Sequence, residues 1–306
     1  MKIVFLDALT LGNVDFERFK EFGEVVIYQI TERDEVIERI KDADIVVTNK
    51  FVIDKNVMDN ASKLKFIQIA ATGMNNVDLE YAKKKGIVVR NVAGYSTNAV
   101  VQHTFALVLG LINKICYFDK YTRSEYPNSK IFTHIQNWFE IKGKRWGIIG
   151  LGEIGKNVAR LAKAFGAEVV YYSTSGKNNS DEFKKVDLDT LLKTSKIITI
   201  HAPLNENTKN LLNLEKLSLI QDGTILINVG RGGIINERDL AKILEKNDIF
   251  VGLDVFEKEP INSDNPLLKS NKVLLTPHVA WTSIEARNEL MQGIYENIKN
   301  FIKSGS

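Results

Sequence analysis

Short runs of β-branched and aromatic residues alternate with amphipathic stretches along this chain, and the alternation stops and then restarts in mid-sequence. Residues 2–6, 24–28, 44–48, 66–70 and 87–90 read as strands, with helices over 16–22, 34–41, 54–58 and 79–85 between them. Strands separated by helices imply parallel pairing, because a parallel neighbour needs a long crossover connection. The run Lys83-Lys84-Lys85-Gly86 has the chemistry of a helix end: cations near the negative pole of the dipole, then a glycine. From Ser96 to about Tyr117 the sequence reads as one long apolar helix, and 122–143 reads as a loop containing Pro127, Asn128, Ser129 and Asn137. At Lys144 the rhythm resumes, with strands over 145–149, 168–172, 196–201, 223–228, 250–254 and 272–276 and helices over 154–165 and 237–244. A last helical stretch, 283–302, has no strand after it.

Two α/β domains with doubly wound parallel sheets follow, and 306 residues suit two domains of roughly 150 residues each. The final helix is expected to pack back on the first sheet. That makes the first domain discontinuous, 1–98 plus 282–306, around a second domain spanning 99–281.

Charge and cysteine content narrow the function classes. Lys plus Arg (41) less Asp plus Glu (38) gives +3, too balanced for a dedicated nucleic-acid binder. At 44% hydrophobic residues, burial can offset the entropy of ordering the chain. The longest apolar run, 105–112, falls well short of the roughly 18 residues that span a bilayer. Asp7 cuts the opening apolar run too early for a signal peptide. No membrane partner is therefore expected. Cys116 is the only cysteine, so no intrachain disulfide forms and a reducing cytoplasm is the simple expectation. Cys116 itself reads as a core residue rather than a nucleophile.

One glycine pattern carries chemistry. Gly150-Leu151-Gly152-Glu153-Ile154-Gly155 follows a strand directly and opens an apolar-periodic helix. In that setting the first glycine permits a tight turn, the second lets backbone approach a pyrophosphate, and the third allows close helix–strand packing. The helix N-terminus offers unpaired N–H donors to phosphate charge. At the end of the next strand, where an acid usually binds the ribose hydroxyls of NAD, stands Ser173, followed by Thr174, Ser175, Gly176 and Lys177. No carboxylate occurs before Asp181. Small hydroxyls and a cation suit a 2′-phosphate, so the cofactor reading is NAD(P)H with a lean towards NADP(H). A polar turn that binds NAD through waters is the alternative.

Three further segments end strands: 228–233 with Arg231, 254–260 with Asp254 and Glu259, and 276–281 with His278. Ligands of open α/β sheets sit at the carboxyl ends of strands. Arg offers a planar fork to a carboxylate, His exchanges a proton near neutral pH, and a carboxylate beside it favours the imidazolium. Singly, each residue also reads as a surface charge or a satisfied strand end; together, beside a dinucleotide loop, they read as a site.

At these residues the chain resembles the D-isomer-specific 2-hydroxyacid dehydrogenases over essentially its whole length. His201-Ala202-Pro203-Leu204 and Asp254-Val255-Phe256 match that family, and residues 91–106 are especially similar to its glycerate dehydrogenase/hydroxypyruvate reductase branch. The resemblance implies a flavodoxin-like substrate domain, a Rossmann dinucleotide domain and a homodimer whose contact includes the region after the long helix. It implies reduction of a small 2-oxo acid, hydroxypyruvate or glyoxylate, to the 2-hydroxy acid. Arg231 would bind the substrate's carboxylate and carbonyl. His278 would be the acid/base, with Glu259 rather than Glu257 as its partner. Asp254 would hold the nicotinamide carboxamide, and the amides of Thr72 and Gly73 the substrate carboxylate. Lys50 lines the same pocket or is solvated. His201, Ala202, Pro203, Thr208, Val229 and Gly230 would line the cofactor together with the glycine loop. The family's acid is missing at Ser173.

Two other functions share these features: a dinucleotide-sensing, corepressor-like protein on the same fold, and a related dehydrogenase for another 2-oxo acid. Of the remaining histidines, His103 reads as structural, and His134 as either a surface or a partner-subunit residue. No ligand cluster suggests a metal.

Overall fold

Five short strands with both faces apolar begin the chain: β1 (Lys2–Phe5), β2 (Glu24–Ile27), β3 (Ile45–Thr48), β4 (Phe66–Ile69) and β5 (Val88–Arg90). The computed structural model describes residues 1–304 and pairs these strands in parallel, in the order β2-β1-β3-β4-β5. That is the flavodoxin-like order. Helices α1 (Val36–Ile40), α2 (Lys55–Asp59) and α3 (Leu79–Lys84) connect them. The stretch expected to be helical over 16–22 is a 3-10 helix, Glu17–Phe22.

Next come α4 (Thr97–Ile112) and α5 (Ile115–Ser124). A second, seven-stranded sheet follows. Its strands are β6 (Arg145–Ile149), β7 (Glu168–Tyr172), β8 (Lys184–Lys185), β9 (Ile197–Ile200), β10 (Ile225–Asn228), β11 (Phe250–Leu253) and β12 (Val273–Leu275). Helices α6 (Glu153–Ala164), α7 (Leu188–Thr194), α8 (Leu214–Leu217) and α9 (Glu237–Lys246) lie between them, and α10 (Ile284–Ser304) ends the described chain. The second sheet is all parallel, ordered β12-β11-β10-β9-β6-β7-β8. The order reverses between β6 and β9, the switch point of a Rossmann sheet. The fold divides into two units: Met1–Ser96 with the stretch from Trp281, and Thr97–Ala280.

The period of two decides which face each strand residue covers. In the first unit Ile3, Phe5, Ile45, Val47 and Phe66 point to one face, where Leu290, Met291, Ile294, Ile298 and Phe301 of α10 bury them. Val4, Val46, Ile67 and Ile69 point to the other, against α1, α2 and α3. A parallel sheet needs both covers. In the second unit α4 lies over β10 and β11, close enough that a Cβ on Gly252 would come within 3.3 Å of Leu107.

Two expectations fail here for one reason. The long helix is broken: Lys114 takes a left-handed φ of +52°, and α4 and α5 meet at 54°. The apolar residues of α4 cover the sheet, whereas α5 has no buried residue at all. Beyond Ile112 the apolar residues of the helix have no surface to be buried against, so nothing holds the helix straight. Cys116, on α5, is accordingly exposed instead of in the core. Among the described residues no single helix is long and apolar enough to cross a membrane. The strand β8 and the helices α7 and α8 are additions that the period of the sequence does not announce.

Candidate active site

The glycine loop lies at the switch point. Gly150 takes φ +94°, a region that favours glycine, and a Cβ there would sit 2.9 Å from Ala202 N. A Cβ on Gly155 would sit 2.2 Å from Gly150 O, so α6 can start against β6 only with glycine there. Gly152 differs: a Cβ there meets nothing within 4 Å, and this N-cap residue supplies no side-chain hydrogen bond to the first turn of α6. The first turn of α6 thus keeps its orphan N–H groups without a side-chain cap, next to this open space. Leu151 is buried beneath the loop, while Glu153 is exposed on it and Ile154 half-buried.

Around this loop stand polar atoms without partners. The Ser173 side chain is buried and its hydroxyl has no hydrogen bond within the protein. Thr174 is half-buried; Ser175 and Lys177 are exposed on the turn that follows. His201 is partly exposed as a residue, but both ring nitrogens are covered and unpartnered. Burial lowers its pKa to about 3. An open cradle of amides with unsatisfied hydroxyl and imidazole groups beside it fits a dinucleotide. The Thr208 hydroxyl donates to Pro203 O at 2.6 Å and accepts from Asn205 N–H at 2.8 Å, so it shapes its own turn. Ala202 and Val229 are buried; Pro203 is exposed.

The His201 shift has a consequence for stability. The folded state keeps the ring neutral and the unfolded chain protonates near 6.5, so the unfolded state binds the extra proton as pH falls. Stability is complete above about pH 6.5 and is lost towards pH 3, by up to roughly 5 kcal/mol from this group. Denaturant titrations at pH 7 and pH 4 should show a smaller loss in His201→Leu than in the wild type; equal losses would refute it.

Strands β10, β11 and β12 are consecutive neighbours, so the loops after them share the carboxyl end of the sheet. After β10, the Asn228 side chain accepts from Gly230 N–H at 3.0 Å and donates to Arg231 O at 2.8 Å. The Arg231 guanidinium is anchored by Gly230 O at 2.8 Å. Next to it, a Cβ on Gly232 would lie 1.7 Å from Phe256 O, so this loop and the loop after β11 touch backbone to backbone. Glu259 Oε1 accepts from Phe256 N–H at 3.2 Å, and Glu259 Oε2 lies 2.6 Å from His278 Nδ1. Glu257 points elsewhere, to the N-terminus of α9. His278 itself takes a left-handed φ of +55°. Fully buried Asp254 holds that turn: its carboxylate accepts from Thr276 Oγ1 at 2.6 Å, Val279 N–H at 2.8 Å and Ala280 N–H at 2.9 Å. His103 Nε2 contacts Thr276 Oγ1 at 3.0 Å and completes the support.

In the first unit, Asp7 was legible only as the end of a strand. Its carboxylate accepts from the amides of Asn49, Lys50 and Phe51 at 2.9, 2.6 and 3.0 Å, so it shapes the loop that carries Lys50. Thr72 Oγ1 donates to Val92 O at 3.3 Å, beside Gly73. Among the described residues no group of three or more His, Cys, Asp or Glu side chains is placed to hold a metal ion.

Residues 105–280 match the profile of the D-isomer specific 2-hydroxyacid dehydrogenase NAD binding domain. A putative 2-hydroxyacid dehydrogenase of Haemophilus influenzae is 37% identical, covering 99% of this chain and 98% of that protein. The chain belongs to the D-isomer specific 2-hydroxyacid dehydrogenase family. A hydroxypyruvate reductase of Blautia hydrogenotrophica is 36% identical to this dehydrogenase over 99% of its length and 97% of the relative's. Among solved structures, an acyclic imino acid reductase in complex with NADPH and D-arginine superposes with a TM-score of 0.89 at 32% identity, covering 99% and 97% of the two chains. The dehydrogenase is thus an oxidoreductase that works with a nicotinamide cofactor on 2-hydroxy and 2-oxo acids.

Proposed function

We propose that this dehydrogenase reduces a small 2-oxo acid of the hydroxypyruvate or glyoxylate class, with Arg231, Glu259 and His278 as its catalytic groups. The observation that carries the reading is the 2.6 Å contact of Glu259 Oε2 with His278 Nδ1, one strand from the Arg231 loop. A nicotinamide cofactor held at the glycine loop would supply a hydride for the 2-oxo carbon. Arg231 presents its fork to the substrate carboxylate and to the carbonyl oxygen, where negative charge grows. With Nδ1 held by Glu259, His278 delivers its proton to that oxygen from Nε2. Asp254 uses three of about four carboxylate lone pairs on the His278 turn and offers the last to the nicotinamide carboxamide. Thr72 and Gly73 amides and Lys50, on the first unit, are proposed contacts of the substrate carboxylate.

For the cofactor we favour NADPH. Residues 173–180 contain no acid to repel a 2′-phosphate, and Lys177 and the Ser173 hydroxyl are available to it. Steady-state assays of hydroxypyruvate, glyoxylate and bulkier 2-oxo acids with NADH and NADPH in parallel test both points. Sustained NADPH oxidation with a small 2-oxo acid, at a kcat/KM no lower than with NADH, is expected. Binding without turnover would make the protein a dinucleotide sensor, and a large advantage for NADH would overturn the cofactor assignment.

We further propose a homodimer built on the stretch after α5. Phe132 is 91% and Ile135 81% exposed, with Ile131 and Trp138 beside them in sequence, an apolar surface of the kind a second copy covers. Light scattering should give a dimer mass for the wild type and a monomer mass for Phe132→Asp/Ile135→Asp. A wild-type monomer would end the proposal. The lone thiol, Cys116, is exposed, which suits a reducing compartment, and we place the enzyme in the cytoplasm.

A further inference from the structure

The second unit buries a carboxylate for which the reaction just described has no use. Glu237, the first residue of α9, is 7% exposed. Burial pushes its carboxyl pKa up, the hydrogen bonds it accepts oppose this, and the carboxylates of Glu257 and Glu259 reinforce the rise. A buried acid is costly unless its oxygens are engaged. Here both are. Glu237 Oε1 accepts from Glu257 N–H at 2.6 Å, and Oε2 accepts from Asn265 Nδ2 at 2.6 Å. In return, Glu257 Oε1 accepts from Glu237 N–H at 3.0 Å, one of the orphan donors of α9. The two residues close a reciprocal ring between the start of α9 and the loop after β11.

That ring grips the loop two residues from Glu259 and next to Phe256. Phe256 is also the residue whose N–H meets Glu259 Oε1, and whose carbonyl packs on Gly232. We propose that Glu237 is a positioning residue: by clamping the 256–259 segment to α9 it sets the Glu259 carboxylate against His278 Nδ1. Its effect on turnover rests on the roles proposed above for Glu259 and His278. Glutamine cannot replace it fully. If its oxygen serves Glu257 N–H, its NH2 faces the NH2 of Asn265, whose own Oδ1 is committed to Leu267 N–H at 3.0 Å. One of the two bonds must go.

The test compares Glu237→Ala, Glu237→Gln, Glu259→Gln and the double variants in the full chain with NADPH bound. Selective 15N-histidine labelling reports only four rings, and His278→Asn assigns the one that matters. In the wild type the His278 Nδ1 proton, held by a carboxylate, resonates far downfield. In Glu237→Ala that signal should move upfield or broaden. Kinetically, Glu237→Gln should lower kcat about tenfold, with the KM of the oxo acid and the Kd of NADPH changed less than about twofold. On a Glu259→Gln background the same substitution should change kcat by less than about twofold, because it acts through Glu259. An unaltered His278 signal in folded Glu237→Ala, or equal kcat losses on both backgrounds, would overturn the proposal. Loss of the signal with normal kcat in both Glu237→Ala and Glu259→Gln would leave the clamp standing and remove the acid/base reading instead. If Glu237→Ala does not fold, Glu237→Gln and Asn265→Ala carry the same measurements.

Discussion

Replacing His278 with asparagine should lower kcat by roughly 10²–10⁴, the range of a lost general acid, while the KM of the oxo acid changes by only a few fold. Asparagine is the informative choice because position 278 is left-handed at φ +55°, a conformation that Asn tolerates better than most residues. The Asp254 bonds to Thr276, Val279 and Ala280 remain, so the turn keeps its shape and the loss reports proton transfer. His201 also follows a strand of this sheet, but burial holds it neutral down to about pH 3, so it has no proton to give at neutral pH. Steady-state kinetics in the reducing direction are sufficient to check this. A kcat within threefold of wild type would remove His278 from the chemistry.

The second large effect belongs to Arg231. Arg231→Ala should reduce kcat by about 10²–10³, as losing a donor to a developing oxyanion does, and should also raise the KM of the oxo acid, because the same fork binds the ground-state carboxylate. Arg231→Lys should recover little. Lys keeps the charge but loses the planar pair of donors, and its ammonium has no fixed orientation. In the wild type the guanidinium is pinned by Gly230 O, on a backbone that Asn228 ties down on both sides of Gly230. A raised KM with unchanged kcat would mean that Arg231 contributes only uniform binding, and the oxyanion role would fall.

Much of this site stands in the linear sequence because its parts are local. The glycine spacing needs only ten residues of context, and the Arg, Glu and His each close a predicted strand, so the topology brings them to one end of one sheet. What the sequence could not show is who holds them. Glu237 looks like any acid in the first turn of a helix, where acids favour the dipole; only the approach of the loop after β11 makes it buried and bidentate. Asp7 reads as the end of an apolar run until the loop after β3 folds its amides onto it. Nor does the sequence show that the Thr208 hydroxyl, near the right motif, turns inward to its own loop. The long helix fails likewise, since apolar pattern continues past Ile112 but the surface it would bury does not.

Local pattern by itself determined the parallel strands other than β8, most of the helices beside them and, through its glycine spacing, the dinucleotide loop, since periods of two or 3.6 and motif spacing are properties of neighbours along the chain. Tertiary structure alone decided which polar atoms are buried, paired or left without partners, at Glu237, Asp7, Ser173 and His201. Burial and pairing are relations between segments that the sequence keeps far apart, and no local pattern encodes the distance at which they meet.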